Sequence, residues 1–337
     1  MVQPPEVQLP ARSSTRTTSN ERPTTFRSWL RERAEALVER YEAKENGEFV
    51  LTHIPTGIAR LDAIGLTEPG ILTCITANAG DGKSAFALTH AIAAARAGFD
   101  VQCYFLEDPA PLTADRYFSG ALDVNSFKLR RLTADMTAAQ LRERLNAAVA
   151  DATWADRIIA DDEQCETSEL FRRVDARWTD DTRLIMVDYV QAFDAEGEEK
   201  SVERVIARLA WGMGQLAKER DAAVILFSQV RREVVDRGRQ RANDWVRRNP
   251  EKELTAEAVE GFRPGFGDAM WSSKLTQAAK AGVSIFRPNR WIRELGGNAK
   301  DDVIQFTSFK GNFSTSNEIV TCSWDGPRAR IVDRGGR

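Results

Sequence analysis

Residues 77–84 read ANAGDGKS, set between the apolar run ILTCIT (71–76) and the helix-forming stretch AFALTHAIAAARAG (85–98). Strand, tight glycine-containing turn and helix in that order make an anion cradle, because the turn exposes backbone N–H groups and the helix N-terminus adds its dipole. The segment predicts a phosphate-binding loop for a nucleoside triphosphate, with Ala79, Gly80, Asp81, Gly82, Lys83, Ser84 and Ala85 around the phosphates. Lys83 would bring a point charge to the outer phosphates, and Ser84 a hydroxyl ligand for Mg²⁺. The pattern GxxxxGK[ST] is imperfect, since Ala77 stands where the first glycine is usual. Gly80 and Gly82 still give the loop its backbone freedom.

Three further apolar runs, VQCYFL (101–106), RLIMV (183–187) and AVILF (223–227), are continuous rather than alternating and are separated by helix-length segments. That is the pattern of parallel strands buried on both faces, so the fold class expected is α/β, a mostly parallel central sheet flanked by helices. Each run ends in a residue suited to phosphate chemistry: Glu107, Asp188, and Ser228 with Gln229. Ligands of open α/β sheets bind outside the carboxyl ends of the strands, which sends these residues to the same edge as Lys83. Asp188 would hold the Mg²⁺ shell, Glu107 would act as general base on the attacking water, and Gln229 would sense the γ-phosphate.

The stretch from about Ile54 to Val332 resembles the RecA-like motor domain of DnaB-type replicative helicases. The resemblance is carried by TGIARLDAIGLTEPG (56–70), FLEDP (105–109) with Arg116 beyond it, IIADDEQCETSELFRRVDAR (158–177), LIMVDYVQAF (184–193) and ILFSQVRR (225–232). It implies an ATP hydrolase working as a hexameric ring on single-stranded DNA, with ATP and Mg²⁺ between neighbouring subunits, Arg116 among the nucleotide contacts, and primase or a helicase loader as a partner. It also implies a Lys-x-Arg pair reaching into the neighbour's site. In SFKGNFSTSNE (308–318), Lys310 matches the lysine but Asn312 stands in place of the arginine finger. Such a finger is worth about 10³ to 10⁵ in rate, so the expectation is slow turnover unless Arg290 or Arg293 substitutes. The family's globular N-terminal domain has no counterpart of sufficient length ahead of residue 54.

The N-terminal part divides into a Pro/Ser/Thr/Arg-rich stretch, expected to be a disordered tail over 1–22, and an amphipathic linker helix over 23–46. In the helix Phe26, Trp29, Leu30, Leu37, Val38 and Tyr41 fall on roughly one stripe. The ATPase domain is expected over 50–335. The family uses a helix at this place to dock on the adjacent subunit, whereas packing on its own domain is the plainer expectation.

The formal charge of −3 over 337 residues argues against a uniformly basic nucleic-acid binder, but arginine is concentrated in RREVVDRGRQRANDWVRRNPEK (231–252). Read as a loop beyond Gln229, this segment offers Arg231, Arg232, Arg239 and Arg241 to phosphates and Trp245 to a base, the combination that sequence-tolerant single-strand binding uses. The acidic DAEGEEKS (194–201) occupies the family's other DNA-facing loop and leaves Lys200 as its basic contact. Four cysteines without metal spacing and two histidines exclude a zinc or histidine-based site, and His90 reads as structural. No apolar run is long enough to span a bilayer and no signal peptide opens the chain, so no membrane partner is expected and the site of action is the cytoplasm. Two other classes compete: a RecA-fold ATP switch of the loader or recombination-mediator kind that binds DNA without unwinding it, and a scaffold ATPase that never meets DNA.

Overall fold

The computed structural model describes residues 25–47, 52–188, 190, 201–269, 272–310 and 318–333. It divides into two units, Met1–Thr52 and His53–Arg337. In the first, the helix Phe26–Glu45 begins at Thr25, whose side chain accepts from the Ser28 N–H at 3.2 Å. None of its residues is buried, and Phe26, Trp29, Leu30, Val38 and Tyr41 are each more than half exposed. The tail expected over 1–22 lies outside the described residues.

The second unit is built on one sheet of nine strands: β1 (Leu72–Ala77), β2 (Asp100–Phe105), β3 (Ile158–Asp161), β4 (Thr182–Asp188), β5 (Ala223–Gln229), β6 (Ala281–Phe286), β7 (Val303–Lys310), β8 (Ile319–Asp325) and β9 (Arg330–Val332), in the order β3-β2-β4-β5-β1-β6-β7-β8-β9. From β3 to β6 all pairings are parallel, and from β6 to β9 they are antiparallel. The continuous apolar runs form β1, β4 and β5, buried on both faces as parallel strands covered by helices must be. On one face Leu209, Met213 and Leu216 of the helix Val202–Arg220 pack with Ile185, Val187, Val224 and Leu226. On the other, Phe86 of the helix Lys83–Arg96 meets Phe306 and Phe227 at ring-centroid distances of 5.0 and 6.4 Å. Parallel pairing in this register aligns the strand ends: Ala77 lies beside Gln229, and Phe105 beside Asp188.

The segment expected as a DNA-facing loop beyond Gln229 is instead a helix, Arg232–Arg248. Its buried residues Val234, Gly238 and Ala242 recur every four positions, a narrow stripe of mostly small side chains that lets it lie close against Phe262. A Cβ built on Gly238 would overlap the Phe262 ring, so only glycine permits this approach. Among the described residues no helix is long and apolar enough to cross a membrane. Cys74, Cys103 and Cys322 are buried, free thiols within strands, and His90 is a buried residue of the helix Lys83–Arg96.

Candidate nucleotide site

The loop Asn78–Gly82 connects β1 to the helix Lys83–Arg96, and its turn is made by Gly80 and Gly82 at φ 76° and 105°, a left-handed region that side chains resist. The Asp81 N–H closes the turn onto the Asn78 carbonyl at 3.1 Å, and the Phe86 N–H reaches the Gly82 carbonyl at 3.0 Å as the helix begins. Lys83 is buried at the helix start; desolvation pushes its amine down from the usual lysine range, against the attraction of Asp188, Glu107, Asp81 and Asp108. Ala79 and Ala85 flank the turn and line the cleft with Gly80, Gly82 and Ser84.

Asp188 ends β4 and is almost fully buried. Burial pushes its carboxyl up to about 6, opposed by a hydrogen bond from Ser84 and the charge of Lys83. Its Oδ1 atom has no hydrogen-bond partner among the described residues. A buried carboxylate oxygen left open beside a serine hydroxyl suits a hard, oxygen-seeking cation, so the pair Ser84 and Asp188 fits Mg²⁺. Glu107, exposed one residue past Leu106 at the end of the β2 run, accepts a hydrogen bond from Gln229 Nε2 at 3.4 Å. Arg116 lies nearby in a 2.7 Å ion pair with Asp108. These groups border a cleft of about 390 Å³.

Lys83, Ser84, Glu107, Arg116, Asp188 and Gln229 are thus brought to one strand-end edge. Asp81 belongs to the loop but turns its carboxylate inward, accepting from Asn78 Nδ2 at 2.9 Å, Arg290 Nη1 at 2.8 Å and Trp291 Nε1 at 3.4 Å, which leaves its backbone N–H as its link to a ligand. Burial raises its carboxyl above the usual range, against the pull of Arg290. Lys310 ends β7, with its side chain outside the described residues, as are Asn312 and Lys200. The arginines of the basic helix do not form one patch. Arg232 and Arg239 share a flank, and Arg241 lies about half a turn away beside the half-buried Trp245, in a groove that also takes in Arg248 and Lys252. Arg231 donates to the Gly267 carbonyl at 3.0 Å.

Sequence reasoning missed the far wall of the cleft, where Asp115, Ser126, Arg130, Trp324, Gly326 and Ala329 meet. Asp108 was visible beside Glu107 in FLEDP, but Trp324 and Ala329 lie more than 200 residues beyond the loop and carry no local motif.

A phosphate loop, an acid beyond β2, an acid ending β4 and an amide ending β5, all at one edge of a mostly parallel sheet, define a RecA-like nucleotide-binding α/β protein. A solved structure of an isolated ATPase domain shares the fold with a TM-score of 0.68 at 21% identity, over 89% of this chain and 98% of that one. "The Structure Of A DnaB-Like Replicative Helicase And Its Interactions With Primase" superposes with a TM-score of 0.67 at 20% identity, over 94% of this chain and 68% of that one. The profile of the DnaB-like helicase C-terminal domain matches residues 53–244, and the chain belongs to that family. The replicative DNA helicase DnaB of Pasteurella multocida (strain Pm70) is 28% identical over 257 residues, 73% of this chain and 53% of that protein. The chain spans about half the length of the curated relatives it matches. Family membership brings nucleotide use with it.

Proposed function

We propose that this chain is an ATP-dependent DNA helicase or translocase of the DnaB type, assembling as a hexameric ring that hydrolyses ATP at subunit interfaces and moves on single-stranded DNA in the cytoplasm. The observation that carries this reading is the convergence of Lys83, Ser84, Glu107, Asp188 and Gln229 on one edge of the sheet. Lys83 and the loop N–H groups hold the phosphates, and Ser84 with Asp188 holds Mg²⁺, which supplies charge neutralisation at the phosphates when bound. Glu107 orients the attacking water and accepts its proton. Gln229 links that base to the strand end from which the basic helix departs, so a change at the γ-phosphate reaches Arg231 two residues on. Arg116 stands beside the same cleft, paired with Asp108, for the nucleotide. Arg232, Arg239, Arg241 and Trp245 are the groups offered to single-stranded DNA, with Lys200 from the second loop and Lys310 as the cation reaching the neighbour's site. The N-terminal helix, with its apolar side chains exposed, is suited to pack on a neighbouring subunit. Primase or a loader is the partner this class implies.

A second reading, an ATP switch that binds DNA without unwinding it, is favoured by one feature, Asn312 in place of the finger arginine. Strand displacement on a forked DNA substrate separates the two. A motor unwinds the fork with ATP and loses that activity as Lys83→Ala. Nucleotide-dependent DNA binding with no displacement by the unmodified chain selects the switch.

A further inference from the structure

In a phosphate loop the N–H groups turn toward the ligand, and peptide planarity then points the carbonyls the other way. Those carbonyls need donors of their own if the loop is to keep this shape before nucleotide arrives. Two arginines from the turn after β6 supply them. Arg290 Nη1 donates to the Ala79 carbonyl, and Arg287 Nη1 to the Gly80 carbonyl at 3.1 Å. Arg290 Nη1 also meets the fully buried Asp81 carboxylate at 2.8 Å, and its Nε is paired with Glu294 at 2.7 Å. The guanidinium lies so close behind the turn that a Cβ at position 80 would come 3.1 Å from Nη1, a second reason for glycine there besides its φ. Arg287 is held in turn by Asp302 at 2.7 Å and lies over the Trp324 ring at 4.6 Å.

We infer that Arg290, assisted by Arg287 and Trp291, is a positioning residue for nucleotide binding that acts on the loop of its own subunit. This inference rests on the nucleotide site proposed above. Arg290 and Arg293 are the other candidates for the finger that Asn312 replaces, and both are committed within their own subunit: Arg290 to Asp81, Ala79 and Glu294, and Arg293 to Asp302 at 2.7 Å and the Ala299 carbonyl at 3.2 Å. The same support reaches the basic helix. Trp291 Nε1 donates to Asp81, its ring stacks on Phe262 at 4.1 Å, the Phe262 carbonyl accepts from Asn78 Nδ2 at 3.0 Å, and Phe262 is the ring that Gly238 admits. The loop and the helix Arg232–Arg248 therefore share one packing unit.

The test is equilibrium binding of a fluorescent ATP analogue to the full chain, alongside kcat at saturating ATP and the melting temperature. Arg290→Gln removes a charge-assisted hydrogen bond to the loop, so its Kd should rise roughly 10- to 100-fold, with kcat at saturation close to that of the unmodified chain. Trp291→Phe, which keeps the stack and removes one donor, should give a smaller rise in the same direction and serves if Arg290→Gln does not fold. Asp81→Asn combined with Arg290→Gln should bind better than the two single effects added together would give, because two neutral amides can pair. Three results overturn the inference. One is an unchanged Kd in both Arg290→Gln and Trp291→Phe while Lys83→Ala abolishes binding, which leaves the nucleotide site standing. Another is a large fall in kcat at unchanged Kd, recovered on mixing with Lys83→Ala subunits, which makes Arg290 a finger in trans. The last is no nucleotide binding by the unmodified chain, which removes the site and this inference together.

Discussion

Asp188→Asn should stabilise the nucleotide-free protein while abolishing its activity. The carboxyl is buried and its value is raised from 3.8 to about 6, so ionising it inside the fold costs about 3 kcal/mol at neutral pH, at about 1.4 kcal/mol for each tenfold. The sign follows from linkage. A group whose value is raised on folding favours the folded state below its unfolded value, and that contribution is lost as the pH rises through the folded one. Asparagine mimics the protonated acid at every pH, so it should gain about 3 kcal/mol over aspartate at pH 7.5 and about half as much at pH 5. For a domain of this size the gain at pH 7.5 corresponds to about 5 °C in melting temperature. The assay is urea unfolding of both proteins at the two pH values without Mg²⁺ or nucleotide, followed by the same comparison with Mg-ATP. Mg-ATP at a hundred times its Kd should add about 2.7 kcal/mol to the wild type and little to the variant. A variant no more stable than wild type at pH 7.5, or a gain that does not shrink at pH 5, refutes the assignment of a strained, cation-seeking carboxylate.

Glu107→Gln should keep ATP binding and stop turnover, whereas Lys83→Ala should abolish both, because one group acts only on the attacking water and the other grips the ground state; ATP hydrolysis at the wild-type rate by Glu107→Gln rules out the base. Replacing Arg231, Arg232, Arg239 and Arg241 with alanine should weaken single-strand binding and flatten its salt dependence by about 0.7 in the log–log slope for each phosphate the protein no longer neutralises; an unchanged slope in a fluorescence-anisotropy titration places the DNA elsewhere. Gly238→Ala forces a methyl into the Phe262 ring and should lower stability by about 1–3 kcal/mol in urea unfolding. Asn312→Arg should accelerate ATP turnover in the assembled protein if residue 312 reaches the neighbour's γ-phosphate, since an arginine fork grips two phosphate oxygens where Lys310 offers a single flexible charge; unchanged steady-state turnover denies residue 312 that position.

Much of this site was legible because its parts are local. ILTCIT, ANAGDGKS and the alanine-rich run that follows specify strand, turn and helix within one short stretch, and the acid or amide that ends each of the next runs needs only the parallel-sheet rule to find its place. What was not legible depends on residues distant in sequence. Trp324 and Ala329 line the cleft only because β7–β9 fold back antiparallel beyond β6. Arg290 and Arg293 lie in a segment that charge alone suggested for a neighbour's site, and the cis partner Asp81 lies 209 residues earlier. The basic segment misled for a different reason. Its buried face is only Val234, Gly238 and Ala242, too small and too polar in its surroundings to register as an apolar stripe, and the helix is secured by the Phe262 ring rather than by its own hydrophobicity.

Electron-microscope images of the protein with a non-hydrolysable ATP analogue and single-stranded DNA test the central claim most directly. Closed six-membered rings with a strand through the channel, absent for Lys83→Ala, are the expected result; monomers under the same conditions, with nucleotide bound, contradict the ring motor.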